Sequence, residues 1–160
     1  MLIPTVKVKV KKLHPDAVIP TYAKPGDAGV DLVATSRTYE DGNVVYGTGL
    51  AVEIAPGNVG LLFPRSSLSK YDLSLCNHVG ILDSSYRGEI MLKFTANGKA
   101  AVKLTESQLR NYRNLDLKEY EIGDRIGQLI VIPYPVINFQ EVEELSTTER
   151  GQGGFGHSGT

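Results

Sequence analysis

Cysteine, tryptophan and net charge are what this chain has least of. Cys76 is the only cysteine in 160 residues, so no internal disulfide can form, and we expect a reducing, intracellular setting. No tryptophan occurs. A formal net charge of −1 leaves no global field to hold DNA, RNA or an anionic membrane surface, so any phosphate chemistry must use local donors. No apolar run approaches the roughly 18 residues that suggest a membrane-spanning helix. No basic stretch followed by an apolar one opens the chain, and the expectation is a soluble cytoplasmic protein with no nucleic-acid or membrane partner. The GxxxxGK[ST] phosphate loop, the GxGxxG dinucleotide turn and the GxSxG nucleophile elbow are all missing. His14 and His78 lack the Cys, Asp or Glu spacing of a zinc site, and His157 stands in a glycine-rich tail, so histidine metal ligation is not expected.

What remains is an ordinary globular composition, 41% hydrophobic and 22% charged, in a length that suits one domain with a proper core. Val6-Lys7-Val8-Lys9-Val10 alternates apolar and basic side chains at period two, the pattern of a half-buried strand with its lysines in water. Short runs rich in β-branched and aliphatic residues follow at 30–34, 50–54, 59–63, 89–94, 125–132 and 136–142. Turn residues separate them, among them Asp41-Gly42-Asn43 and Ala55-Pro56-Gly57-Asn58. This spacing predicts an all-β sandwich or barrel, without the long alternating helices of a βαβ fold. One or two short helical pieces fit as well, at Ser66–Lys70 and at Thr105-Glu106-Ser107-Gln108, which has the form of a capping box. Residues 99–120 are polar and read as an excursion from the β framework; residues 147–160 are too rich in glycine for stable regular structure. The chain therefore divides into a β domain over residues 1–146 and an arm over 147–160.

Several clusters carry chemistry. Pro64-Arg65-Ser66-Ser67-Leu68 puts a guanidinium, two hydroxyls and the N–H groups of a helix start within one turn, which suits an anion; a capped surface turn is the bland alternative. Gln128 is a polar break in an apolar strand and could face a ligand. Asp31 in Ala28-Gly29-Val30-Asp31-Leu32 enters a strand and could merely cap or pair locally. Asp83 differs, because Gly80-Ile81-Leu82 delivers it at the end of an apolar strand, where a carboxylate can be placed well enough to activate water. In the tail, Arg150 and Phe155 stand among glycines, so open backbone N–H groups and a guanidinium could wrap a polyphosphate while the ring covers a base.

Taken in order, five segments resemble the motifs of the trimeric dUTP diphosphatases (dUTPases). They are the segments around Asp31 and Arg65, Gly80-Ile81-Leu82-Asp83-Ser84-Ser85-Tyr86-Arg87-Gly88, Gly123-Asp124-Arg125-Ile126-Gly127-Gln128, and Arg150-Gly151-Gln152-Gly153-Gly154-Phe155-Gly156. The resemblance implies a jelly-roll-like β fold, a homotrimer with shared sites, and hydrolysis of dUTP to dUMP and pyrophosphate, which keeps uracil out of DNA and supplies dUMP for dTTP synthesis. By the same resemblance, Asp83 is the base for water attacking the α-phosphorus. Arg65, Ser66, Ser67 and Gln128 match phosphate-contacting positions. Asn77 and the backbone through Gly80, Ile81 and Leu82 match the hairpin that reads uracil, and Tyr86 matches the ring that leaves no room for a 2′-hydroxyl. Arg150, Phe155, Gly156, His157 and Ser158 match an arm closing over a neighbouring subunit's site. Mg2+ is implied as a cofactor held mainly by the triphosphate, with Asp31 touching it only through water. Ser85 departs from the family, which commonly has a second acid there; Ser67 replaces a frequent Gly, and His157 a frequent Ser. The long excursion over 99–120 resembles viral members that bind a regulatory protein partner through an extra arm, which would place such a chain in the host cytoplasm. Two other readings stay open: a dCTP deaminase-related enzyme, and a non-catalytic nucleotide-sensing binder.

Overall fold

Residues 5–96 and 117–154 are described by a computed structural model. Their β framework follows the apolar runs. In chain order the strands are β1 (Val8–Lys12), β2 (Val30–Val33), β3 (Ser36–Glu40), β4 (Asn43–Ile54), β5 (Asn58–Phe63), β6 (Leu73–Leu75), β7 (Gly80–Leu82), β8 (Glu89–Ala96) and β9 (Arg125–Pro133). The chain is all-β and jelly-roll-like, as expected, with two antiparallel sheets and one short 3-10 helix at Ser66–Lys70 among the described residues. One sheet has the order β1-β4-β8-β6, with β3 also paired to β4; the other runs β2-β9-β5-β7. Leu32, Tyr46, Ile54, Leu62, Leu92, Phe94 and Ile126 fill the space between them, each buried.

Strand β4 shows how local sequence shapes this frame. The β-branched and aliphatic runs predicted a strand over 50–54 only, but β4 begins at Asn43 because Asp41 and Gly42 both take positive φ (48° and 76°), the geometry of a tight hairpin turn joining it to β3. Gly49, at φ +65°, then breaks the ladder, so that β4 pairs with β3 through its first half and with β1 through its second. A Cβ at Gly49 would stand 2.8 Å from the His14 Cβ, which adds a steric need for glycine. Strands β3 and β6 escape sequence reading: Ser-Arg-Thr-Tyr-Glu is too polar, and Leu-Ser-Leu too short.

Two expectations need correction. Residues 136–142 form no strand, because no described strand edge pairs with them; Val136, Ile137 and Phe139 are 83%, 71% and 90% exposed. The first strand lies two residues later than its valine pattern implied, and its valine face is not covered. Val6, Val8 and Val10 line an open apolar groove with Leu50, Val52 and Leu129. The helical piece at Thr105–Gln108 and residues 97–116 of the excursion lie outside the described residues. No helix among the described residues is long and apolar enough to cross a membrane.

Candidate active site

Strand β7 sits at one edge of the four-stranded sheet, and its neighbourhood is an open slot. The chain leaves β6 and turns at Asn77 and His78, where His78 takes φ 58° and the Val79 N–H donates to the Asn77 carbonyl at 2.5 Å. Gly80 lets β7 lie close against β5, since a Cβ there would come within 3.0 Å of the Leu62 Cβ. The result is a cleft of about 220 Å³ that gathers Asn77, Gly80, Ile81, Leu82, Asp83 and Tyr86. Asp83 also borders a second hollow with Asn58, Val59, Ser84, Ser85 and Tyr134. The loop beyond it is fixed by its own bonds: Tyr86 N–H to the Asp83 carbonyl at 3.0 Å, Arg87 Nη1 to the Ser84 carbonyl at 2.7 Å, and Tyr86 Oη to the Glu89 carbonyl at 2.9 Å. Gly88 is required beneath that ring, because an added Cβ would run into the Tyr86 hydroxyl. Asp83 itself is exposed, and its carboxylate has no partner among the described residues. It is therefore free to take a proton from water.

Strand β2 forms the opposite edge, and there two guanidiniums share one carboxylate. Asp31 lies opposite Gln128, and Gln128 opposite Phe63, so β9 carries the amide between the Asp31 carboxylate and the end of β5, from which Arg65 follows. Asp31 Oδ1 accepts from Arg65 Nε at 2.8 Å and Gln128 Nε2 at 3.2 Å, while Oδ2 accepts from Arg125 Nη1 at 3.0 Å. Arg65 Nη1 also donates to Ser67 Oγ at 3.2 Å. Arg65, Ser67, Gln128 and Asp31, named separately from sequence, are thus one network.

Arg125 is the member that sequence reasoning missed. Strict alternation along β9 turns residue 125 away from residue 128. The β2–β9 register shifts between Leu32 and Val33, so Val33 pairs with Arg125 and skips Ile126, and this bulge swings Arg125 round to Asp31. No sequence signal marks that extra residue.

With β9 and β5 lying between β2 and β7, the two edges are three strand spacings apart, about 14 Å. Ser66 is exposed at the start of the 3-10 helix and is not part of the Asp31 network. Arg150 is exposed, with its Nε bonded to the Gly153 carbonyl at 2.9 Å across a turn in which Gly151 takes φ 51°. Phe155, Gly156, His157 and Ser158 lie outside the described residues. Among the described residues no three His, Cys, Asp or Glu side chains gather as a metal site. Both Asp31 oxygens are already taken by cations and an amide, so this carboxylate offers no open oxygen to bind a metal ion directly.

The fold and site define a two-sheet β protein with a mixed polar and apolar slot and an unpaired acid at one sheet edge and two guanidiniums on a carboxylate at the other. The comparisons give the family. The dUTPase family model matches residues 15–109 and 109–159, and the chain belongs to that family. It is 41% identical over 157 residues to a deoxyuridine 5'-triphosphate nucleotidohydrolase of Rhodococcus erythropolis, covering 96% of this chain and 87% of that one. A protein of the same name from Nocardia farcinica is 40% identical over 155 residues, covering 95% and 85%. Among solved structures, the dUTPase of Staphylococcus bacteriophage 80alpha with dUPNHPP superposes with a TM-score of 0.77 at 28% identity, covering 98% of this chain and all of that one.

Proposed function

We propose that this dUTPase hydrolyses Mg2+–dUTP to dUMP and pyrophosphate, with Asp83 as the general base. The observation that carries the reading is the unpaired Asp83 carboxylate at the mouth of the slot lined by Asn77, Ile81 and Tyr86. Asp83 takes a proton from water as its oxygen attacks the α-phosphorus. The bond from that phosphorus to the bridging oxygen breaks, and pyrophosphate leaves with the electron pair. In the slot, Asn77 and the edge-strand backbone from Val79 to Leu82 hydrogen-bond the edge of uracil, where a thymine methyl would clash and cytosine would present the wrong donors. Tyr86, held by its bond to the Glu89 carbonyl, packs under the sugar and rejects a 2′-hydroxyl. Arg65, Ser66, Ser67 and Gln128 take the phosphates, Arg65 and Gln128 exchanging Asp31 for phosphate oxygens. Asp31, released from them, would act through water on a magnesium ion held by the triphosphate, which would supply charge neutralisation for the phosphates. Arg150 and Phe155 close the site with Gly156, His157 and Ser158.

The same reading makes the protein a homotrimer with sites shared between copies. Support comes from the separation of the two edges within one chain, which leaves each half of the machinery incomplete. It comes also from the exposed apolar side chains of Val136, Ile137, Phe139 and Leu145 and from the uncovered groove beside β1, since surfaces of that kind mark contacts between chains. A regulatory protein partner at the excursion and an intracellular setting complete the proposal.

The direct test is to incubate the protein with dUTP, dCTP, dTTP and UTP plus Mg2+, following pyrophosphate and ammonia. Pyrophosphate from dUTP alone is the expected outcome. Ammonia from dCTP would move the protein to the deaminase relatives, and tight dUTP binding without turnover would make it a sensor.

A further inference from the structure

The return limb of the excursion is bonded to the framework directly behind the Arg65 turn. Lys118 exchanges two bonds with Asp72, its N–H reaching Asp72 Oδ2 at 2.9 Å and its carbonyl accepting from the Asp72 N–H at 3.0 Å. Glu119 accepts from Tyr39 Oη at 2.8 Å and pairs with Arg37 at 3.5 Å. The Tyr120 carbonyl accepts from both Arg37 Nη1 at 3.1 Å and Tyr46 Oη at 2.9 Å. The backbone that carries Tyr120 is therefore fixed, and its side chain drives into the core, where it is only 1% exposed.

The ring lies 4.0 Å from that of Tyr71, the residue that ends the Ser66–Lys70 helix, and stands edge-on to Tyr46 at 6.0 Å. Its hydroxyl is the one buried side-chain polar atom without a hydrogen-bond partner among the described residues. Burial pushes its proton affinity up, and the nearby Ser67 side chain works against that shift without reaching ordinary hydrogen-bond geometry. A phenylalanine would fill the same space and leave nothing unpaired, so packing alone does not account for the oxygen. What lies in front of it does. Ser67 Oγ accepts from Arg65 Nη1, and Arg65 also holds Asp31.

We propose that Tyr120 is a positioning residue for the phosphate-binding turn, its hydroxyl donating to Ser67 Oγ once Arg65 leaves Ser67 and Asp31 for the triphosphate. A serine hydroxyl accepts and donates at once, so the bond from Tyr120 turns the Ser67 O–H outward, toward a phosphate oxygen. Such a chain of hydrogen bonds ending on an anion strengthens each member. The unpaired state of the free protein is then the cost of a contact completed by the ligand. This inference rests on the reading of Arg65, Ser66 and Ser67 as phosphate-binding.

The test uses full-length protein, with steady-state kinetics on dUTP, calorimetric binding of the non-hydrolysable analogue dUpNHpp and of dUMP, and thermal melting. Tyr120→Phe is expected to melt at the same or a higher temperature, because it removes a buried unpaired hydroxyl. It should raise KM for dUTP and weaken the analogue about five- to tenfold while kcat stays near the parent value and dUMP binding changes less. Ser67→Ala should weaken the analogue similarly, and the double variant should be no worse than Ser67→Ala alone, because both remove one bond. An unchanged KM in Tyr120→Phe, or losses in the two variants that add in full, would overturn the proposal. So would a lowered melting temperature with dUTP and dUMP affected alike, which is the mark of a packing role. Arg65→Ala separates this from the wider reading: if it too leaves analogue binding intact, the turn does not bind phosphate, whereas a loss there beside an unaffected Tyr120→Phe refutes the role of Tyr120 alone.

Discussion

The two edges of the four-stranded sheet solve opposite problems. At β2, the single Asp31 carboxylate holds Arg65, Arg125 and Gln128, and the side chains of Asp31 and Arg65 are only 16% and 22% exposed. At β7, Asp83 stands exposed and without a partner among the described residues, beside a slot lined by both polar and apolar groups. The contrast teaches how one sheet can tie guanidiniums to a carboxylate at one edge while leaving another carboxylate open to water at the other. Under the proposed function it also divides labour, with affinity for charge at β2 and recognition of base and sugar and the chemistry itself at β7.

Predictions follow that division. Asp83→Asn keeps the size of the side chain but loses the base, and turnover should fall about 10²–10⁴-fold with analogue binding retained; retained turnover would erase the contrast. Arg65→Ala leaves Asp31 with fewer partners and removes a charge-assisted donor, a loss of about 1.5–3 kcal/mol that should weaken the analogue roughly ten- to a hundredfold. Calorimetry should show a smaller effect on dUMP. Gly88→Ala pushes on the Tyr86 ring, and the preference for dUTP over UTP, measured as a ratio of kcat/KM, should drop roughly tenfold while phosphate binding is spared.

The smallest effect comes from the aromatic cluster behind the β2 edge. Burial pushes the Tyr46 phenol well above its ordinary range, and burial also raises Tyr71 and Tyr120. Each binds its proton more tightly folded than unfolded. The stability they contribute is complete below the unfolded tyrosine pKa, about 10, and is lost as pH rises past it. Melting temperature should therefore be insensitive to these groups near neutrality and decline above about pH 10, less steeply in Tyr46→Phe.

Where sequence reading succeeded, one local rule decided the outcome. Gly80-Ile81-Leu82 does form a strand that presents Asp83, because a short apolar run ending in a polar loop has few other options. The Asp41-Gly42 turn was visible too, yet its polar partner β3 was not, since pairing with β4 rather than its own apolar content makes it a strand. Arg125 was hidden by a bulge, which no period-two pattern can encode. The apolar run at 136–142 misled, because among the described residues it meets no strand edge. The Asp31 network was legible only as separate residues; the register of β2 on β9 and of β9 on β5 is what joins them.

The central claim, that the β2 and β7 edges of different copies complete one site, is tested most directly by mixing two variants that are both impaired at dUTP concentrations well below the parent KM. Asp83→Asn is damaged at β7 and Arg65→Ala at β2. Dissociated and reassembled at equal amounts, they should yield mixed oligomers in which roughly a quarter of sites pair two intact halves, with dUTP turnover restored in proportion. A mixture no more active than its better parent would contradict the account.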